Sequence, residues 1–550
     1  MVFSTRAKIL LLAALFAVVW FANLQYRDLF QTDEGRYAEI PREMLATGDW
    51  VTPRLDGLKY FEKPVLQYWA TAVAYELFGE SNWSSRLWTA LTGFLGVFMT
   101  AWAGARLFDR NTAWYAAAIL GGCIYYVIMG HFNTLDMGVS FFMCLSVFAF
   151  LFAMHAADRE RVSARRGWMY LAWAAAALGM LSKGLEAVVL PGAVFIIYIL
   201  ITRDWRRWRQ LHYYGGVLIF LLIAAPWYLL VSLRNPEFPY YFFVYEHFTR
   251  FLTPVAHRYG PWWYFIPVLL FGLLPWWPQS LRAAARLRRR GSPAAAPGFD
   301  HRLFLWIWCI FVLVFFSFSD SKLASYILPI FPALALLLGY ELAQHRRGDV
   351  LVSALLCMAL AIVALWLAPL LRRDGGAVTL ELYRAFLPWL MAGCALLLGL
   401  SIAAFLLAYL HRPGAAVALL AAGLLLATQV VTSGAQVLSP VYSGRSLATQ
   451  IGADNRPGIP FYSINDYQQS LPFYLRRTLT LVAYKGELAF GISREPGKWI
   501  ADIATFITRW RQDAQALAVM PPETYAMLEK QGLPMQVIAR DPQHIVVRKP

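Results

Sequence analysis

Long apolar runs recur along most of this chain, and they constrain its fold more than any other feature. A helix that crosses a bilayer needs about 20 mostly apolar residues. About thirteen stretches meet that length rule, at roughly 7–25, 86–106, 112–130, 137–155, 168–182, 185–202, 212–232, 262–279, 302–319, 323–341, 350–371, 386–410 and 414–435. Composition agrees. Of the 550 residues, 59% are hydrophobic and 15% charged, where a soluble domain carries about a quarter charged residues. A soluble enzyme, a disordered chain and a disulfide scaffold are excluded. The expected fold is a polytopic α-helical membrane protein with polar segments outside the bilayer.

Lys and Arg total 49 against 33 acids, a net charge of +16. The basic residues concentrate in short loops between apolar runs, as the positive-inside bias requires. No basic soluble segment with stacking aromatics is present, so nucleic acid is not an expected partner; membrane lipids are. The cysteines (Cys123, Cys144, Cys309, Cys357, Cys394) lie inside apolar runs without C-x-x-C spacing and read as packing residues. Residues 7–22 resemble a signal-peptide core but lack a small-residue cleavage site, so they read as a retained first helix. Trp262-Trp263-Tyr264 and Trp276-Trp277 read as interfacial belts around one span.

One further stretch, 65–78, is moderately apolar but carries Gln67, Tyr68, Tyr75 and Glu76. If it crossed, the arginines of 159–166, 203–209, 282–290 and 346–347 would all be translocated, against the bias. It is therefore expected to lie at the interface. The outer side then holds residues 26–85, turns near 131–136, 182–186 and 319–323, the loop 233–261 and a tail. This divides the chain into a membrane domain, 1–435, bearing the outer loop 26–85, and a C-terminal α/β domain, 436–550. In the tail we expect strands at 460–463, 478–483 and 516–520. Helices are expected at 466–475, 497–512 and 522–531, followed by a hairpin of 534–540 with 543–548. Residues 291–298 (Gly-Ser-Pro-Ala-Ala-Ala-Pro-Gly) read as a linker.

Polar residues gather on the outer side. Thr32 is expected to cap a helix over 34–46, along which Arg36, Glu39 and Glu43 can pair. Asp33 and Glu34 follow the first span, and Glu62-Lys63 precede the interfacial helix. Asp136, Lys183, Asp320 and Lys322 sit at span ends. Charges there are costly unless paired or facing a wet cavity, so one polar site is expected. The alternatives are a solvated amphipathic helix over 34–46 and snorkelling for Lys183 and Lys322.

The order Asp33-Glu-Gly-Arg-Tyr, Tyr60-Phe-Glu-Lys-Pro, Phe78-Gly-Glu-Ser-Asn-Trp-Ser-Ser-Arg-Leu, Asn133-Thr-Leu-Asp136, Leu181-Ser-Lys-Gly and Phe316-Ser-Phe-Ser-Asp-Ser-Lys-Leu-Ala-Ser-Tyr resembles the bacterial lipid A aminoarabinose transferases. These are glycosyltransferases of the GT-C class, related to the protein O-mannosyltransferases. The resemblance implies transfer of 4-amino-4-deoxy-L-arabinose from undecaprenyl phosphate to lipid A phosphate at the periplasmic face of the bacterial inner membrane. That modification lowers surface negative charge and gives polymyxin resistance. It implies an inverting displacement and a periplasmic C-terminal domain.

Fixed cations are the useful catalyst when a sugar–phosphate bond breaks. Arg36, Lys63, Arg250, Arg258 and Lys322 are the outward candidates. The resemblance maps the carrier-phosphate residues onto Lys63 and Arg250, with Tyr326 as a hydroxyl donor. Asp33 stands where hydroxyl-acceptor relatives hold a base; Asp33, Glu34 and Asp136 are the acidic candidates. No cofactor is required by these motifs. A divalent metal on Glu62 and His247 is the one cofactor option. A polyprenyl-phosphate-dependent protein O-mannosyltransferase and a secondary transporter are the competing functions. The transporter would show inverted repeats and midplane charge, whereas the polar residues here collect at helix ends.

Overall fold

A computed structural model of the chain describes residues 5–249, 260–288, 298–344, 347–370 and 376–550. Arg250, Arg258 and the linker residues 291–297 lie outside these, and so does the side chain of His247. Contacts divide the chain into two compact units. One comprises Met1–Ala22, Thr89–Arg372 and Leu387–Thr432; the other comprises Asn23–Trp88, Arg373–Phe386 and Ser433–Pro550.

The first unit is helical. Among the described residues, eight helices are long and apolar enough to cross a membrane: Asn82–Leu107, Leu135–Ala157, Tyr213–Arg234, His301–Phe318, Ala324–Gln344, Arg347–Leu370, Leu380–Tyr409 and Pro413–Tyr442. Ile9–Phe21 and Glu186–Thr202 are shorter apolar helices, and Val162–Ser182 packs along Leu135–Ala157. Two expected spans are interrupted. The 112–130 run divides into Arg110–Gly121 and Ile124–Met129 at Gly121-Gly122-Cys123. The 262–279 run divides into Phe265–Gly272 and Trp277–Arg288 around Pro275, which has no N–H to give a helix. Close packing uses small residues: a Cβ on Gly339 would meet the Ala116 backbone nitrogen at 2.8 Å, so only glycine lets those helices approach. Leu135–Ala157 is buried among its neighbours, whereas Leu380–Tyr409 is mostly exposed despite its apolarity. Exposed apolar helix surface of that extent needs lipid around it, and the chain is a multi-pass membrane protein.

The 65–78 stretch is a 13-residue helix, Leu66–Phe78. At about 1.5 Å per residue it is too short for a hydrocarbon core of about 30 Å, in keeping with an interfacial helix.

In the second unit the segment 23–88 clusters with the tail. A two-stranded ribbon, β1 (Arg54–Leu55) with β2 (Leu58–Lys59), closes on Asp56-Gly57. The tail carries β3 (Phe461–Ile464), β4 (Thr480–Val482), β5 (Trp499–Ile500), β6 (Leu517–Met520), β7 (Gln536–Arg540) and β8 (Ile545–Arg548), in the order β5-β4-β3-β6-β8-β7. The first four in that order are mutually parallel, and the β7–β8 hairpin adds antiparallel to β6. Alternate strand residues enter opposite cores. Tyr462, Ala518 and Val547 pack with Phe506 and Trp510, while Phe461, Leu517 and Val546 pack with Leu447 and Leu471. Burial on both faces explains the near-continuous apolar strand sequences. The expected order of strands and helices is present with additions, including the helices Arg445–Ile451 and Ala489–Arg494 and the strand Trp499–Ile500, and the helix expected at 466–475 begins only at Leu471. The expected helix at 497–512 begins only at Ile503, because Trp499–Ile500 pairs with β4.

His544 ties the hairpin to the loop after β3. Its Nε2 lies 2.8 Å from Asp466 Oδ2 and its Nδ1 3.2 Å from Asp541. Burial alone would lower the imidazole; the two carboxylates override this and raise it to about 9 from an ordinary 6.5. A proton held more tightly in the folded state stabilises fully below the unfolded value, and the stabilisation is lost as pH climbs through the folded one. The melting temperature of the full chain is expected to fall as pH rises from about 6.5 to about 9, a loss on the order of 2 kcal/mol. His544→Gln should flatten that slope; an unchanged slope would remove His544 as its source.

Candidate active site

The helix Asp33–Thr47 is not the solvated element that its charges allow: every residue from Glu34 to Met44 is buried. Thr32 makes no side-chain cap, which corrects the expected N-terminus. Instead the Glu34 carboxylate turns back and accepts from the Phe30 backbone N–H at 3.1 Å. A Cβ on Gly35 would come within 2.6 Å of the Ser470 backbone nitrogen, so this position requires glycine for the helix to seat against the tail.

Glu34 sits between two arginines. Arg27 bonds it at 2.5 and 3.0 Å, and Arg86 at 2.8 and 3.1 Å. Arg86 also donates to the carbonyls of Leu24, Arg27 and Asp28. All three side chains are buried. Burial alone would push the Glu34 carboxyl up, but the two guanidiniums outweigh it and hold the group well below the usual carboxylate range. A carboxylate with both oxygens committed is an anchor, so the geometry gives Glu34 a structural part and not the acid–base one.

Arg36 faces the other way. Its guanidinium donates to Tyr60 OH at 3.1 Å, Gln469 Oε1 at 3.1 Å and Glu487 Oε1 at 3.2 Å, and lies 3.7 Å from Asp33 Oδ1. It packs over the rings of Tyr37 and Tyr60. Burial alone would lower Arg36; the oxygens of Tyr60, Tyr37, Glu62 and Glu487 raise it well above its ordinary value, so it is a fixed cation. Gln469 donates to the same Glu487 oxygen. Asp33 is the open member, its side chain 46% exposed. Glu62 is buried close by and Lys63 is half-buried, its Nζ donating to the Glu62 carbonyl at 2.8 Å. Tyr68, also buried, packs against Tyr37.

The expected pairing of Arg36 with Glu39 and Glu43 does not occur. Glu39 pairs with Arg42 at 2.5 Å, and Glu43 accepts the Gly57 N–H at 2.8 Å. Gln469 and Glu487 of the tail, with Arg27 and Arg86, are the polar residues that sequence reasoning misses. The tail pair carries no local signal. Arg86 does: an arginine at the head of an apolar run is costly without a partner.

In the membrane unit, Asp136 begins the helix Leu135–Ala157, where the helix dipole favours an anion. Lys183 caps the antiparallel Val162–Ser182 helix. Its Nζ reaches Asp136 at 2.7 Å and Glu186 at 3.4 Å, and lies 4.7 Å from the centre of the Tyr326 ring. These residues, with Ser325, form the polar wall of a narrow cleft whose other wall is apolar, including Val139, Leu190 and Phe316. Lys183 is thus ion-paired and does not snorkel freely. Lys322 is buried and donates to the Ser319 carbonyl; Asp320 is exposed. The charges on this cleft are internally paired, one lysine against two carboxylates.

The residues described do not assemble a metal centre. Of the two candidate ligands only Glu62 has a described side chain, and among the described residues no three His, Cys, Asp or Glu form a metal-binding group.

Comparisons with known proteins agree with this architecture. The family model described as dolichyl-phosphate-mannose-protein mannosyltransferase matches residues 6–242. That of the aminoarabinose transferase C-terminal domain matches 447–549. The crystal structure of ArnT from Cupriavidus metallidurans bound to undecaprenyl phosphate is similar at a TM-score of 0.93 and 38% identity, covering 100% of this chain and 99% of that one. Its apo form gives 0.91. The undecaprenyl phosphate-alpha-4-amino-4-deoxy-L-arabinose arabinosyl transferase of Pseudomonas paraeruginosa (strain PA7) is 33% identical over 529 residues, 93% of this chain and 92% of the relative. That of Pseudomonas aeruginosa (strain UCBPP-PA14) is 32% identical over 536 residues, 94% and 93%. The fold is that of a multi-pass membrane glycosyltransferase of the GT-C class. Within that class, the chain belongs to the family of undecaprenyl phosphate-alpha-4-amino-4-deoxy-L-arabinose arabinosyl transferases.

Proposed function

We propose that this protein transfers 4-amino-4-deoxy-L-arabinose from undecaprenyl phosphate to a phosphate of lipid A, at the periplasmic face of the bacterial inner membrane. The observation that carries the reading is its full-length likeness to an arabinosyl transferase crystallised with undecaprenyl phosphate. The positive-inside distribution of arginines supports the side. The names of relatives matched over nine-tenths of the chain favour the aminopentose over a protein-bound mannose.

The reaction breaks the bond between the anomeric carbon and the carrier phosphate oxygen, and forms one from that carbon to a lipid A phosphate oxygen. Attack from the opposite face inverts the centre, and the electron pair of the broken bond leaves on undecaprenyl phosphate. Cations fixed before the reaction stabilise that leaving charge at no reorganisation cost. Lys63, onto which the resemblance maps a carrier-phosphate residue, fills this part, and Arg36 orients the neighbouring carboxylates.

A phosphate acceptor is already anionic at neutral pH and needs little general base. We assign Asp33 instead to the cationic 4-amino group of the donor. Asp33 is more open than Asp136, which Lys183 holds at 2.7 Å. Asp33→Asn is expected to cut transfer of the amino sugar roughly tenfold, a charge-assisted contact being about twice as strong as a neutral one. Transfer from an N-acylated, neutral donor should change little. Equal losses with both donors would return Asp33 to a base or structural role.

The function itself is tested in cells with and without the gene. Lipid A should gain the mass of one aminopentose residue, and polymyxin sensitivity should fall, only when the gene is present. Unmodified lipid A alongside mannosylated secreted protein would replace this reading with the mannosyltransferase one.

A further inference from the structure

The short 3-10 helix Trp205–Gln210 takes no part in the chemistry above, yet its surface is strongly ordered by residue type. A 3-10 helix has three residues per turn, so side chains at i and i+3 eclipse and form straight ridges. Trp-Arg-Arg-Trp-Arg-Gln therefore makes three ridges. Trp205 and Trp208 form one, and they are 60% and 42% exposed. Arg206 and Arg209 form the second, both exposed. Arg207 and Gln210 form the third, which turns inward.

The inward ridge uses up the local acids. Arg207 is buried and bonds Asp158 at 2.6 Å, Asp204 at 3.0 Å and Gln210 at 3.3 Å. Asp204 also meets Arg206, but through Nε alone, at 3.1 Å. Its terminal nitrogens take no part in that pair, and the side chain is 88% exposed. Arg209 has no ion-pair partner among the described residues. Trp208 is held by stacking on Phe195 at 5.2 Å and 20°. The helix leads directly into the span Tyr213–Arg234, one of the least buried apolar helices of the chain, so the ridges lie where that span leaves the bilayer.

We propose that this helix is a binding site for the headgroups of anionic phospholipids. Paired guanidiniums match phosphate oxygens, and tryptophans occupy the headgroup layer beside them. Charge complementarity selects anionic over zwitterionic lipid, because the nearby carboxylates are already engaged.

The test is native mass spectrometry of the full-length protein released from nanodiscs that contain cardiolipin and phosphatidylethanolamine. Wild type should retain cardiolipin preferentially. R206Q/R209Q should lose it roughly twenty-five-fold, at about fivefold for each arginine near an anionic surface. R206K/R209K should keep most of it, and R509Q/R511Q, with the same charge change in the tail, should match wild type. Equal retention by R206Q/R209Q and wild type, equal retention of the zwitterionic lipid, or an equal loss in R509Q/R511Q would each overturn the proposal.

Discussion

Glu34→Gln is expected to cost about 3–5 kcal/mol of stability, because it leaves two buried guanidiniums without their anion. The size follows from the geometry: Arg27 and Arg86 approach this one carboxylate from two sides, and all three side chains are buried. Arg86 further joins the head of the Asn82–Leu107 helix to three carbonyls of the turn that follows the first helix. Thermal unfolding of the detergent-purified protein checks it. A double change, Glu34→Gln with Arg27→Met, removes one of the orphaned charges and should recover part of the loss, a non-additive result expected of residues in one network. A midpoint equal to wild type in the single variant would show that the triad does not hold this segment.

The second large effect is on rate. Lys63→Met is expected to slow sugar transfer about 10²–10³-fold, the usual consequence of removing one preorganised charge partner of a developing anion. The melting temperature should move far less than the rate, since Lys63 is half-buried and a methionine keeps the apolar stem that packs there. Lys63→Arg should retain more activity than Lys63→Met, because the positive charge remains. Single-turnover transfer from the lipid-linked donor measures this directly. A loss confined to KM would place Lys63 in ground-state binding of the carrier.

The two variants probe neighbouring acids and cations with different parts. Glu34 and Asp33 are adjacent in sequence, yet one is locked by two arginines and the other is half open. Their order in the chain offers no reason to separate them. Arg36 shows the same thing. Helical spacing makes Glu39 and Glu43 its natural partners, but it bonds Tyr60, Gln469 and Glu487, residues 24 to 451 positions away. A pairing across one helix turn is worth only about 0.2–0.5 kcal/mol, so a buried tertiary partner easily overrides it. The interrupted spans, by contrast, carry visible signals in Gly121-Gly122 and Pro275, which a length rule alone passes over.

Local physics in the chain determines which segments are apolar enough to seek the bilayer, which end of each carries the arginines, that 65–78 is too polar and short to cross, and that the tail alternates strands with helices. Each of these depends on a residue and its near neighbours, through transfer free energy or side-chain period. The folded arrangement alone decides which acid is an anchor and which is open, that Lys183 serves Asp136, and that Gln469 and Glu487 reach back to Arg36. Burying a charge is tolerable only against a partner, and the partner is supplied by whichever distant segment packs there, which no window of sequence contains.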